Sequence, residues 1–172
     1  MTLAQSCYTQ MFHSCTGLTQ APALPAMTLA ESCYTSMFNG CTGLTQAPAL
    51  PAMALAVDCY ENMFFDCTNL TTAPELPAKT LAAGCYYGMF RSCENLNNVT
   101  MLATDISAQY CLGYWLYDVA NEGTFTKASE MKSLSFGDGD ASIPSGWTVQ
   151  DYTVSKNITG SAPDSDDSEF GN

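Results

Sequence analysis

A 26-residue period constrains this chain more than any other feature. Residues 1–26 read MTLAQSCYTQMFHSCTGLTQAPALPA, and residues 27–52 read MTLAESCYTSMFNGCTGLTQAPALPA. Residues 53–78 and 79–98 keep the same frame. A decayed fifth copy follows, in which Leu102 and Cys111 fall where Leu50 and Cys59 predict and Trp115-Leu116 occupy the Met-Phe slot. Val119 stands where a second cysteine would be. Self-similarity at such a period means supersecondary units stacked on one another, each burying its apolar face against its neighbours.

Within a copy the recurrent apolar positions are Leu29, Ala30, Cys33, Tyr34, Met37 and Phe38. The spacing i, i+1, i+4, i+5, i+8, i+9 predicts one face of an α-helix. Thr28 with Glu31, and Thr2 with Gln5, read as capping boxes at its start. Gly40, or a polar residue at the equivalent place, ends it near the second cysteine. The remainder, CTGLTQAPALPA, is too short for another helix and is broken by Pro48 and Pro51. A short strand is expected around Leu44–Ala47, with Pro48 limiting its hydrogen bonding. The expectation is an α/β solenoid with one short strand and one helix per coil. Strands ~4.8 Å apart would make the stack roughly 20–25 Å long.

Residues 1–120 therefore read as a solenoid of four regular coils plus the decayed fifth. Residues 121–154 read as a small β-rich C-terminal cap, because GTFTKA, SLSF and GWTVQDYTV carry β-branched and aromatic residues between turn signals. Trp115 is expected to point inward and Trp147 to plug the final coil. Residues 155–172 are rich in Ser, Asp, Gly and Asn and read as an acidic disordered tail or linker. Met1 shares the frame of Met27 and Met53, so the chain starts at a coil boundary without a cap. Either further coils precede it or the uncapped N-terminal coil serves self-association.

Composition removes some functions. The formal net charge is −12 with only five Lys and Arg and no basic cluster, so nucleic acid is not an expected partner. No apolar run approaches the length of a membrane span, and no signal-peptide pattern is present.

Met37–Leu44 (MFNGCTGL), followed six residues on by Leu-Pro, resembles the A-F-x-x-C-x-x-L…I-P pattern of bacterial surface leucine-rich repeats of the BspA type. Residues 1–98 match it copy by copy, and residues 103–152 look like the unit that closes such arrays in gut bacterial surface proteins. The resemblance implies a leucine-rich-repeat-like, right-handed coil stack. It further implies an extracellular or cell-surface location, with a signal or anchor outside this segment, and adhesion to a host or bacterial surface protein or glycan.

The nine cysteines are Cys7, Cys15, Cys33, Cys41, Cys59, Cys67, Cys85, Cys93 and Cys111. Structural zinc needs closely spaced pairs. Here the spacing is C-x7-C, and eight helical residues would separate the two by ~12 Å. No metal is expected, and a bridge within a coil is excluded because bridged Cα atoms lie ~4.4–6.8 Å apart. Bridges between neighbouring coils stay open at the second cysteine. The favoured reading is two ladders of free, buried thiols, since Val119 replaces one of them. The Tyr8, Met11 and Phe12 ladders read likewise as core.

No catalytic residue is expected. Nucleophilic catalysis needs a base, and the only histidine, His13, occupies a position that is Asn39, Phe65 and Arg91 in other copies. Asp58, Glu61 and Asp66 cluster in the third copy but read as a solvated face rather than a glycosidase pair. Gly137–Asp140 (GDGD) lacks the further ligands of a calcium loop and reads as a turn. No cofactor is expected. The binding candidates are Thr19, Gln20, Thr45, Gln46, Thr71, Thr72, Asn97 and Asn98, a polar, uncharged strip on the strand side. A non-enzymatic recognition or adhesion module is the leading expectation. A structural spacer is the alternative, and a glycoside-acting enzyme a distant one.

Overall fold

The computed structural model describes residues 3–132, 134–137 and 140–153. The tail at 155–172 and the central two residues of the GDGD turn lie outside the described residues. Three strands form one parallel sheet in the order β1-β2-β3: β1 (Asn98–Met101), β2 (Glu122–Lys127) and β3 (Gly146–Asp151). Among the described residues there is no helix. The expected α/β solenoid with a helix in every coil is therefore incorrect, and so are its capping boxes.

A ribbon of overlapping turns stands where the helix was expected. Every fourth residue adopts a left-handed backbone, with φ between +49° and +71° at Ser6, Gln10 and Ser14, then Ser32, Ser36 and Gly40, and on through the third, fourth and fifth coils. Odd-numbered N–H groups in the first coil turn back on their own chain, as Cys7 to Ala4 (3.3 Å), Thr9 to Ser6 (3.3 Å) and Met11 to Tyr8 (3.2 Å). Even-numbered ones reach the next coil, as Tyr8 to the Cys33 carbonyl (2.9 Å), Gln10 to Thr35 (3.0 Å) and Phe12 to Met37 (2.9 Å). A positive φ at the third residue of every second turn is the type II geometry.

This arrangement explains why no helix forms. An α-helix spends its N–H groups internally on the residue four back, whereas the ribbon spends half of them on the neighbouring coil. Each non-glycine residue held left-handed costs about 1–2 kcal/mol. Five inter-coil bonds at each of the four coil boundaries, at about 1 kcal/mol apiece, offset it. The side-chain rows consequently repeat every four residues and stack coil on coil. The rings of Tyr8, Tyr34, Tyr60 and Tyr86 stack at 5.6–6.1 Å, and those of Phe12, Phe38, Phe64 and Phe90 at 5.5–5.7 Å.

The expected strand in each coil is also reduced. In the proline-bearing coils it shrinks to isolated parallel pairings such as Gln20 with Gln46 and Thr28 with Ala54, because Pro48, Pro51, Pro74 and Pro77 supply no N–H. A four-residue strand appears where the fourth copy reads NVTM instead. Here the register slips: Met101 pairs with Leu76 and is fully buried, in the place expected for Leu102. The frame recovers by Cys111, whose carbonyl accepts from Tyr86 (3.0 Å).

β2 and β3 extend the sheet from β1. Lys127 and Asp151, paired across it, form an ion pair at 2.6 Å. Trp115 is fully buried, edge-on to Phe125 with centroids 5.7 Å apart, and its indole N–H donates to the Ser142 carbonyl (3.1 Å). Trp147 is buried too and donates to the Ala120 carbonyl (2.7 Å). Gly123 makes room for that ring, since a Cβ there would lie 2.7 Å from it.

Candidate ligand-binding surface

All eight residues of the polar strip are exposed, and the coil stack sets them in rows. Gln20 pairs with Gln46, Thr72 with Asn98, Asn98 with Thr124 and Thr124 with Thr148. A second row is tied by the Thr45 N–H to the Thr19 carbonyl (3.4 Å) and the Asn97 N–H to the Thr71 carbonyl (3.0 Å). Backbone pairing holds the rungs parallel, so amide and hydroxyl groups project at regular intervals along the stack.

Two shallow grooves open along this surface. One, of about 350 Å³, is lined by Thr45, Gln46, Thr71 and Thr72 with Ala47, Ala73 and Pro74. The other, of about 440 Å³, is lined by Asn97, Asn98, Glu122, Gly123, Thr124, Gly146 and Thr148. The strip thus continues into β2 and β3; Thr124 was missed although it stands one period of 26 residues after Asn98, and Thr148 because it follows Thr124 by only 24. Alternation in EGTFTK and GWTVQD was the available signal. An apolar groove of about 490 Å³ adjoins the strip, walled by Ala47, Leu50, Pro51, Met53, Pro74 and Pro77 among others. Its signal was the recurrence of proline at 48 and 74 and at 51 and 77. Together they offer hydrogen-bonding rungs beside an apolar wall.

The cysteines lie away from this surface. Cys33, Cys41, Cys59, Cys67, Cys85 and Cys93 are wholly inaccessible and Cys111 nearly so. Cys7 and Cys15 are exposed, contrary to the expected burial, since among the described residues no coil packs on the outer side of the first one. Thiols of the second ladder donate one coil back, Cys41 to the Phe12 carbonyl (3.0 Å), Cys67 to Phe38 (3.2 Å) and Cys93 to Phe64 (2.9 Å). That weak S–H donation is a role the sequence did not disclose. Burial pushes the Cys85 and Cys93 thiols up to about 12 and those of Cys59 and Cys67 further still. A reactive cysteine needs the opposite shift.

Other catalytic candidates are placed no better. His13 and Ser14 share a 2.9 Å hydrogen bond, but both are exposed neighbours in sequence, and among the described residues no carboxylate hydrogen-bonds the imidazole. Asp58 and Asp66 hold left-handed positions at φ 52° and 57°, which aspartate tolerates well. Glu61 is half-buried, and burial, with Asp58 beside it, raises its carboxyl above the ordinary range. Among the described residues no three His, Cys, Asp or Glu side chains are grouped to hold a metal ion, and no helix is long and apolar enough to cross a membrane. The chain matches no protein-family model, no curated protein and no solved structure.

Proposed function

We propose that the chain is a non-enzymatic recognition module that binds an extended partner, a glycan or a protein segment, along the strip at a bacterial cell surface. The observation that carries this reading is the unbroken exposure of Thr19, Gln20, Thr45, Gln46, Thr71, Thr72, Asn97 and Asn98 on successive rungs. A repeat must conserve its buried rows to stack, but stacking places no such demand on outward amides and hydroxyls. An extended ligand with polar groups at similar intervals can bond several rungs in succession, with the proline-lined groove taking its apolar side.

Raised thiol pKa values and the isolated His13 support binding over catalysis. The test is a panel of glycans and matrix proteins screened against the wild-type chain and a Gln20→Ala/Gln46→Ala/Thr72→Ala variant. Loss of three hydrogen-bonding rungs is expected to weaken binding by at least ~10-fold. Equal binding by both proteins would remove the strip from the account.

A further inference from the structure

In a repeat, departures at outward positions are informative because the stack does not dictate them. The outer ribbon positions of the first two coils carry Thr9, Gln10, His13, Thr35 and Asn39, with Ser36 beside them buried. In the later coils the same positions become Phe65, Tyr87, Arg91, Tyr114 and Tyr117. The core does not require this change: Tyr114 and Tyr117 are each 40% exposed, and the other three are half-buried.

These five side chains converge. The Arg91 guanidinium carbon lies 5.6 Å from the Phe65 ring centroid, 5.9 Å from that of Tyr114 and 5.4 Å from that of Tyr117. Tyr114 meets Tyr87 and Tyr117 edge-on, with centroids 5.9 and 6.1 Å apart. Gly113 leaves the space for Tyr87, since a Cβ there would lie 2.5 Å from that ring. Tyr114 itself holds φ 52°, a strained conformation for a large aromatic residue, where the other coils place Gln10, Ser36, Asn62 and Gly88. The ribbon imposes this conformation at every fourth position, but it does not ask for an aromatic side chain there.

Arg91 is surrounded by rings but not by anions. Its buried Nε has no hydrogen-bond partner, and among the described residues no carboxylate comes within ion-pair distance of it. Aromatic rings attract the cation without occupying its N–H donors, so its fork stays available for a carboxylate. The chain has twelve more acids than bases, yet among the described residues this half-buried cation has no ion-pair partner.

We propose that Phe65, Tyr87, Arg91, Tyr114 and Tyr117 form a docking surface for a protein segment that presents an aspartate or glutamate carboxylate flanked by apolar side chains. Arginine and tyrosine are the residue types that dominate protein–protein binding energy when set in such clusters. The carboxylate takes the guanidinium fork, and its neighbours cover the tyrosine faces. This surface lies on the turn ribbon and does not depend on the strip being a binding site.

The probe is a display library of short random peptides panned on the immobilised full chain. Recovered peptides are expected to be rich in Asp and Glu and to lose at least ~10-fold in affinity on Arg91→Gln, with Arg91→Lys restoring only part. Tyr114→Gly should weaken the same peptides while leaving the thermal midpoint unchanged or higher, because glycine removes the left-handed strain. A purely structural Tyr114 would not separate the two readouts, and this second variant carries the test should Arg91→Gln fold poorly. Peptides without an acidic preference, or with binding indifferent to both variants, would overturn the proposal. So would Arg91-dependent binding of oligogalacturonate but not of acidic peptides.

Discussion

Raising the pH should unfold this protein through its thiols, and the size of the effect follows from their burial. Cys59, Cys67, Cys85 and Cys93 sit with no accessible surface, and burial raises all four well above the ordinary thiol value near 9. A group whose folded pKa is raised contributes its full stability below the unfolded pKa and loses it as pH climbs toward the folded one. For Cys85 and Cys93 that window runs from about 9 to about 12. At pH 10 an unfolded thiol has shed most of its proton while the folded one keeps it, which costs about 1.4 kcal/mol per group. Four such groups cost about 5–6 kcal/mol, comparable with the whole stability of an ordinary domain. Tyr34, pushed up to about 12, and Tyr60 and Tyr86, raised further, add to the loss above pH 10. Urea unfolding followed by tryptophan fluorescence at a series of pH values, with reductant present, measures it. Cys93→Val should remove about a quarter of the loss at pH 10. Stability that changes by less than about 1 kcal/mol between pH 8 and 10 would refute the buried, neutral ladder.

Two other outcomes follow from packing. A thiol reagent applied to the folded chain should modify Cys7 and Cys15 promptly and reach the remaining seven only on unfolding, as counted by mass spectrometry. Fast labelling of Cys59 or Cys67 would contradict their burial. Gly123→Ala should drive a methyl group into the Trp147 ring and the Asn97 carbonyl, 2.7 and 2.6 Å from the added carbon. The expected cost is about 1–3 kcal/mol, with a red-shifted emission as that indole is displaced.

Much of the buried core could be read from the repeat. Cys33, Tyr34, Met37, Phe38 and Leu44 recur at fixed intervals, and all are buried. The ribbon was misread because its rows repeat every four residues and a helix every 3.6. Over the span from Cys33 to Cys41 the two patterns diverge by less than a quarter-turn. The discriminating signal lay in the residues between the apolar rows. Asp58, Asn62 and Asp66, or Gly84, Gly88 and Ser92, place Gly, Asn, Asp or Ser at every fourth position, and the first three of these types are the ones that tolerate a left-handed backbone. The strip was legible as an outward polar recurrence, and the same period reaches Thr124, but its continuation into Thr148 depends on β3 pairing with β2 at a 24-residue offset outside the repeat frame. The Arg91 cluster was not legible at all, because its members come from three coils at positions where each copy differs.

The central claim is that left-handed turns, not helices, build each coil, and a pair of substitutions at Ser32 tests it most directly. Ser32 holds φ 53° in the second coil, and its N–H donates to the Val57 carbonyl at 3.0 Å. In a ribbon, Ser32→Gly should be more stable than Ser32→Ala by about 1 kcal/mol, because only glycine adopts this conformation without strain. In a helix the order reverses, with alanine favoured by about 0.8–1.0 kcal/mol. Chemical unfolding of the two variants side by side reads the sign. Glycine above alanine is the predicted result, and alanine above glycine would contradict the turn ribbon.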